Sequence, residues 1–242
     1  DGASNGEWFY NTYLINFCTK DIEGDVIIVG IQAESYYNWD EYSPWVKEDM
    51  YQWMDPYDAN RIEGGKGDAY LAFLIQTLKP EIDLRYRTLP NRDHTAIGGS
   101  KMGGLISLYA GLTRPEIFSQ VSVLSPAIWF AETGGSWLSN NHLLKLTNTL
   151  GVSKNVSFTI DVAPEDRTTE LVARPNIYNA QGKKISFPQA YLEGAQAFVK
   201  SLVNAGLALT NITGDIVDSE KGGFLEPNNT TTEAEYINYL PT

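Results

Sequence analysis

The residues of this chain best placed to do chemistry lie in Ala96-Ile-Gly-Gly-Ser-Lys-Met-Gly-Gly104. An apolar run enters this stretch, glycines crowd its middle, and an apolar pattern with helical spacing leaves it. A strand that turns so sharply into a helix holds its apex residue out over the sheet edge, and the turn admits only small residues two before and two after that apex. With Ser100 at the apex the flanks are Gly98 and Met102, so a bulky side chain falls where there is no room. With Lys101 at the apex the flanks are Gly99 and Gly103, and Gly104 leaves space for the helix to pack on the strand. Sterics therefore assign the apex to Lys101, an ammonium group in place of an alcohol. Ser100 is the weaker alternative nucleophile.

A serine-type acyl transfer also needs a base to take the hydroxyl proton. The chain has two histidines, His94 and His142, and both precede the strand after which an acid is expected; structural or surface roles are assigned to both. A lysine at the apex with carboxylates nearby stays protonated near neutral pH and is a poor nucleophile.

A second concentration of chemistry-bearing residues is Ser35–Asp58, where Tyr36, Tyr37, Trp39, Tyr42, Trp45, Tyr51, Trp53 and Tyr57 are mixed with carboxylates. Aromatic faces beside carboxylates suit sugar rings, which makes Trp39, Trp45, Trp53, Tyr36 and Tyr37 ligand-binding candidates. The competing reading is that these rings cover the core beneath a long loop. Asp55, Asp58 and Asp68 lack the spacing of a calcium loop, and Gly64-Gly-Lys-Gly67 lacks that of a phosphate-binding loop. Neither a metal nor another cofactor is expected.

The elements that must position these residues alternate between strand and helix. Strands are expected at Asp25–Ile31, His94–Gly99, Phe118–Leu124, Val156–Val162 and Leu209–Val217. Helices are expected at Gly67–Tyr86 (bent or interrupted by Pro80), Met102–Leu112, Trp137–Leu150, Pro188–Ala205 and Thr232–Leu240. This alternation predicts a largely parallel sheet in one α/β domain over residues 1–242.

A net charge of −12, from 18 basic and 30 acidic residues, repels nucleic acid and anionic membranes. No apolar run reaches the length of a membrane span. Cys18 is the single cysteine, which excludes an internal disulfide and suits a buried apolar role. The Asn-X-Ser/Thr triplets at Asn155, Asn211, Asn228 and Asn229, with the acidic composition, favour an extracellular, secreted bacterial protein.

The stretch from Tyr86 to Phe118, with Ser125-Pro-Ala-Ile-Trp-Phe130 after it, resembles the esterase family of α/β-hydrolases that includes enterochelin esterases and the feruloyl and acetylxylan esterases of carbohydrate esterase family 1. Family members read "GSSMGGLISLYAG" where this chain reads Gly99-Ser-Lys-Met-Gly-Gly-Leu-Ile-Ser-Leu-Tyr-Ala-Gly111, and the resemblance runs from Trp8 to about Leu240. It implies an α/β-hydrolase fold with a mostly parallel sheet flanked by helices. It places the family's nucleophilic serine on Lys101 and its acid on Glu165 or Asp166. The family's histidine loop resembles Ser219–Glu226, which has no histidine.

The resemblance also implies strands before Asp1 that are missing from this chain, so a partner is expected: an N-terminal fragment or second chain that completes the sheet. Together these readings point to a pseudo-esterase, a binding, adhesive or structural module with a glycan or cell-surface ligand. The alternative is a carbohydrate esterase whose nucleophile position has become Lys101.

Overall fold

A computed structural model describes residues 26–31, 38–47, 63–131, 140–162, 177–178, 184–214, 216–218, 223–226 and 235–237. Val26–Ile31, expected to be a strand, forms none. An aliphatic strand needs a neighbour for its N–H and C=O groups and cover on both faces. Here Val26, Ile27, Ile28 and Val29 remain 39–48% exposed.

A short helix α1 (Asn38–Glu41) precedes the antiparallel pair β1 (Val46–Lys47) and β2 (Glu63–Gly64). The long helical segment is α2 (Gly67–Phe73), a π-helical turn over Leu74–Leu78, and α3 (Lys79–Arg85). Pro80 sits in the first turn of α3. Its ring crowds the preceding turn and it has no N–H to donate, so a wider turn there accommodates it.

A 3₁₀ turn over Arg92–His94 leads into β3 (Ala96–Ser100), which passes without a loop into α4 (Lys101–Thr113). His94 thus lies before the strand, not in it. There follow β4 (Gln120–Leu124), a 3₁₀ turn over Ile128–Ala131, α5 (His142–Leu150) and β5 (Ser157–Asp161). Expected from Trp137, α5 starts at His142 because Asn141 caps it: the Asn141 side chain accepts from Leu144 N at 3.2 Å and donates to Ile128 O at 2.7 Å. The short pair β6 (Ile177–Tyr178) and β7 (Lys184–Ile185) precedes α6 (Phe187–Asn204), whose cap Ser186 accepts from Gln189 N at 3.2 Å.

The strand expected over Leu209–Val217 is reduced to β8 (Ile212–Thr213) after a 3₁₀ turn. Gly214, at φ +136°, ends it: a Cβ there would lie 1.9 Å from Ile160 O. β9 (Val217–Asp218), β10 (Gly223–Glu226) and β11 (Glu235–Ile237) form an antiparallel meander. Within the helix expected over Thr232–Leu240, Glu235–Ile237 is a strand instead. Tyr236 and Ile237 suit strand pairing, and a segment that short nucleates a helix poorly.

The main sheet runs β3-β4-β5-β8, parallel throughout. Residues Ser100, Leu124 and Asp161 stand side by side at its C-terminal edge. Helix α4 packs against β3 and β4 and is apolar almost all round, as befits a buried helix. Leu105, Leu108, Val123, Phe158, Ile160 and Phe198 are fully buried in one continuous core. At the opposite end of the sheet, Arg92 fastens three elements, donating to Pro115 O at 2.7 Å and to Asn155 O at 2.9 Å.

Candidate functional site

The passage from β3 to α4 has the geometry of an elbow. Ser100 is extended, at φ −114° and ψ 155°, whereas Lys101 lies in the left-handed region at φ 53°. The bend is at Lys101. A Cβ on Gly99 would fall 2.5 Å from the carbonyl carbon and oxygen of Gly103, so any larger residue would force strand and helix apart. A Cβ on Gly104 would come within 3.0 Å of Pro126. Met102, which would be the crowding flank if Ser100 were the apex, is buried in the core.

The neighbouring strand end locks this turn in place. Ala127 N donates to Lys101 O at 2.8 Å, and Ser125 N donates to Asp161 O at 2.8 Å. Ser125 is itself buried at φ 44°, so two of the described non-glycine residues with positive φ meet at this edge. Such backbone persists only where surrounding contacts over-determine it, and it concentrates at functional sites.

The electrostatics at the apex are unusual. Lys101 is the first residue of α4, where the helix dipole disfavours a cation. An offsetting contact comes from α6: the Lys101 Nζ lies 4.0 Å from the centroid of the Tyr191 ring. A cation over an aromatic face is worth about 0.5–1 kcal/mol at partly exposed sites. Tyr191 in turn meets Trp129 edge-on at 6.5 Å, and Trp129 meets Trp39 at 6.0 Å. Trp39 also packs on Phe130 at 5.5 Å. A chain of aromatic rings thus runs from α1 to the apex.

Trp39 is held there by its neighbour Asp40. The Asp40 carboxylate receives Lys66 Nζ at 2.8 Å and Gly64 N at 3.0 Å. Burial raises the Asp40 pKa, but hydrogen bonds from Lys66, Glu63 and Gly64 outweigh it and hold the carboxyl below its ordinary range.

Trp45 goes elsewhere. It stacks on His142 with centroids 5.6 Å and planes 5° apart, and meets Tyr109 edge-on at 5.4 Å. The Tyr109 hydroxyl donates to Asp68 Oδ1 at 2.8 Å. Burial first, and then the bond to Asp68, push its pKa up to about 12. Burial, helped by Lys145, lowers the His142 pKa. His142 is thus a half-buried stacking partner, and His94 is an exposed residue bonded to Asn91 Oδ1 at 2.6 Å.

Of the expected ligand residues, Trp39 and Trp45 therefore join different aromatic groups, while Tyr36, Tyr37 and Trp53 lie outside the described residues, as do Cys18, Glu165 and Asp166. Tyr191 and Trp129 were not singled out from sequence as site residues. Tyr191 stands about ninety positions from Lys101, on a helix whose spacing says only that one face is buried. Among the described residues no group of three or more His, Cys, Asp or Glu side chains is placed to hold a metal, and no helix is long and apolar enough to cross a membrane.

A parallel sheet, a helix springing from a strained apex at its C-terminal edge, and a second loop bonded to that apex define an α/β-hydrolase type of site. Comparison with known proteins gives the family. The model of the esterase family described as "Putative esterase" matches residues 1–201, and the chain belongs to that family.

Among relatives, an uncharacterized protein YbbA of Bacillus subtilis (strain 168) is 26% identical over 106 residues, covering 44% of this chain and 39% of the relative. A siderophore enterobactin esterase of Emericella nidulans is 32% identical over 66 residues, covering 27% of this chain and 22% of the relative. Of solved structures, the enterobactin esterase FES from Shigella flexneri superposes with a TM-score of 0.47 at 21% identity, covering 63% of this chain and 33% of that one. The BES protein from Bacillus cereus gives 0.48 at 15%, covering 74% and 56%. The chain spans less than half the length of the curated relatives it matches.

Proposed function

We propose that this chain is a non-hydrolytic member of the esterase family, a module that binds a ligand at the elbow edge of its sheet in an extracellular setting. The observation that carries this reading is the placement of Lys101 at the apex with φ 53° while Ser100 stays extended in the strand. Acyl transfer requires a hydroxyl or thiol at that position and a base within hydrogen-bond reach of it. Lys101 offers an ammonium against Tyr191 instead, while His94 bonds to Asn91 and His142 stacks on Trp45.

What is left at the site suits binding. The Lys101 cation, the half-buried Tyr191 and the half-buried Trp39 offer charge and aromatic faces together. Sugar rings are one class of ligand for such surfaces. The siderophore enterobactin esterase of Emericella nidulans adds siderophore esters as a second class to test. The alternative, an esterase for carbohydrate esters that works through a changed arrangement at Lys101, draws its support from family membership.

The two readings part in a simple assay. The purified chain is expected to show no turnover of 4-nitrophenyl acetate or of a feruloyl ester, and Lys101→Ser alone to restore none. Turnover that disappears on Ser100→Ala would reverse the reading. Binding is tested on a glycan array and with enterobactin by fluorescence quenching: loss of a signal in both Trp39→Ala and Tyr191→Ala supports a site at the apex. A signal indifferent to both would remove the ligand from this edge.

A further inference from the structure

The lysine at the elbow is fixed at both ends. Its backbone is held in the left-handed region at φ 53°, and its carbonyl accepts from Ala127 N at 2.8 Å. Its tip lies against α6, with Nζ 4.0 Å from the centroid of the Tyr191 ring. A lysine side chain ordinarily samples many rotamers, and fixing it on binding costs conformational entropy. Here that ordering is built into the fold, so a ligand that meets Nζ finds a donor already placed. Strained backbone on a residue other than glycine concentrates where a site is pre-organised.

Two described carboxylates belong to the elements that meet at the elbow. Asp161, buried at the same sheet edge, stands two strands from Ser100, about 10 Å at ordinary strand spacing. Glu193 follows Tyr191 by two residues on α6, about 200° round the helix, and receives Gln189 Nε2 at 2.7 Å. At longer range the net charge of −12 repels anions, so an anion gains only where it touches Nζ itself.

We propose that Lys101 selects an organic acid, a carboxylate carried on an apolar ring, in preference to the ester of the same acid. The inference rests on the reading that this edge binds a ligand without hydrolysing it. An ammonium has three N–H donors, so Nζ keeps its contacts while giving one donor to a ligand oxygen. Hydrogen bonds between charged partners are roughly twice as strong as neutral ones, and an ester carbonyl brings no charge to the pair. A hydroxyl at the apex would not separate acid from ester in this way; the lysine does. The ring of the ligand answers the half-buried Tyr191, which sets an aromatic edge beside the cation.

The test titrates the whole chain with benzoate and with methyl benzoate, followed by ligand-observed NMR at low salt. Benzoate is expected to bind about tenfold more tightly than its ester. That preference should fall below about twofold in Lys101→Met and survive in Lys101→Arg, with circular dichroism reporting that each variant is folded. Tyr191→Leu should lower it by about threefold and Tyr191→Phe leave it in place, because only the ring holds Nζ. No binding of benzoate, equal binding of acid and ester, or a preference unchanged in Lys101→Met overturns the proposal. Equal binding that is lost in Tyr191→Leu removes the charge selection alone and leaves a binding site at the elbow. Methanol released from methyl benzoate is a separate signal, and it counts against the non-hydrolytic reading instead.

Discussion

The elbow region and the segments Val26–Ile31 and α3 are built to different standards. Around the elbow and the strands beside it packing is tight: a Cβ on Gly99 has nowhere to go, and Phe158 is fully buried against Phe198 at 5.9 Å. In Val26–Ile31 and α3, a Cβ on Gly30 meets nothing within 4 Å and Leu84 stands in solvent. Both regions are rich in aliphatic residues, so composition does not separate them. What separates them is whether, among the described residues, a neighbouring element takes up backbone groups and covers the apolar faces.

The contrast can be broken by matched substitutions, the largest effect coming from the core. Phe158→Ala is expected to cost about 3–5 kcal/mol, and Leu84→Ala to stay within roughly 0.5 kcal/mol, in urea unfolding of the chain. A comparable loss in both would mean that α3 is covered after all. The glycine pair comes next. Gly99→Ala should destabilise by about 2–3 kcal/mol by forcing strand and helix apart, while Gly30→Ala should change stability by under roughly 0.5 kcal/mol. Equal melting temperatures for those two variants would sink the steric account of the elbow.

Lys101 gives a smaller effect with an unusual sign. Glycine is ordinarily worse than alanine in a helix by about 1 kcal/mol. At φ 53° the order should invert, with Lys101→Gly more stable than Lys101→Ala by about 1 kcal/mol, because the left-handed region penalises a Cβ. Thermal melts of the two variants side by side decide it.

The smallest effect belongs to His142. Its folded pKa lies below the ordinary 6.5, so below 6.5 the unfolded chain takes up the proton first. The stability tied to its neutral stack on Trp45 is complete above that pH and declines as pH falls from 6.5 through the depressed folded value. His142→Phe keeps a ring on Trp45 and should flatten this slope. The check compares urea midpoints of variant and parent at pH 7.5 and 5.5; identical slopes would remove His142 from the account.

The elbow was legible in the sequence because it is local. Ten residues carry the strand, the glycines and the helix, and the sterics of a tight turn assign the apex without reference to anything distant. Periodicity likewise located β3, β4, β5, α4 and α6 to within a few residues, since an apolar strand or face repeats at a short interval. Where that reading failed, pairing was the missing information. Val26–Ile31 has the composition of a strand and no strand neighbour among the described residues, while Glu235–Ile237 pairs with Phe224 and its neighbours instead of coiling into a helix.

By itself, then, the order of residues determined the α/β class, the acidic character of the chain and the lysine at the bend, all of which depend on contacts within a few positions. Only the tertiary structure decided that Tyr191 faces that lysine and that Trp39 and Trp45 part company. It also decided that the elbow strand pairs in parallel with β4 along its whole length. Those outcomes join segments many residues apart, and their energies come from packing and hydrogen-bond pairing that no local pattern records.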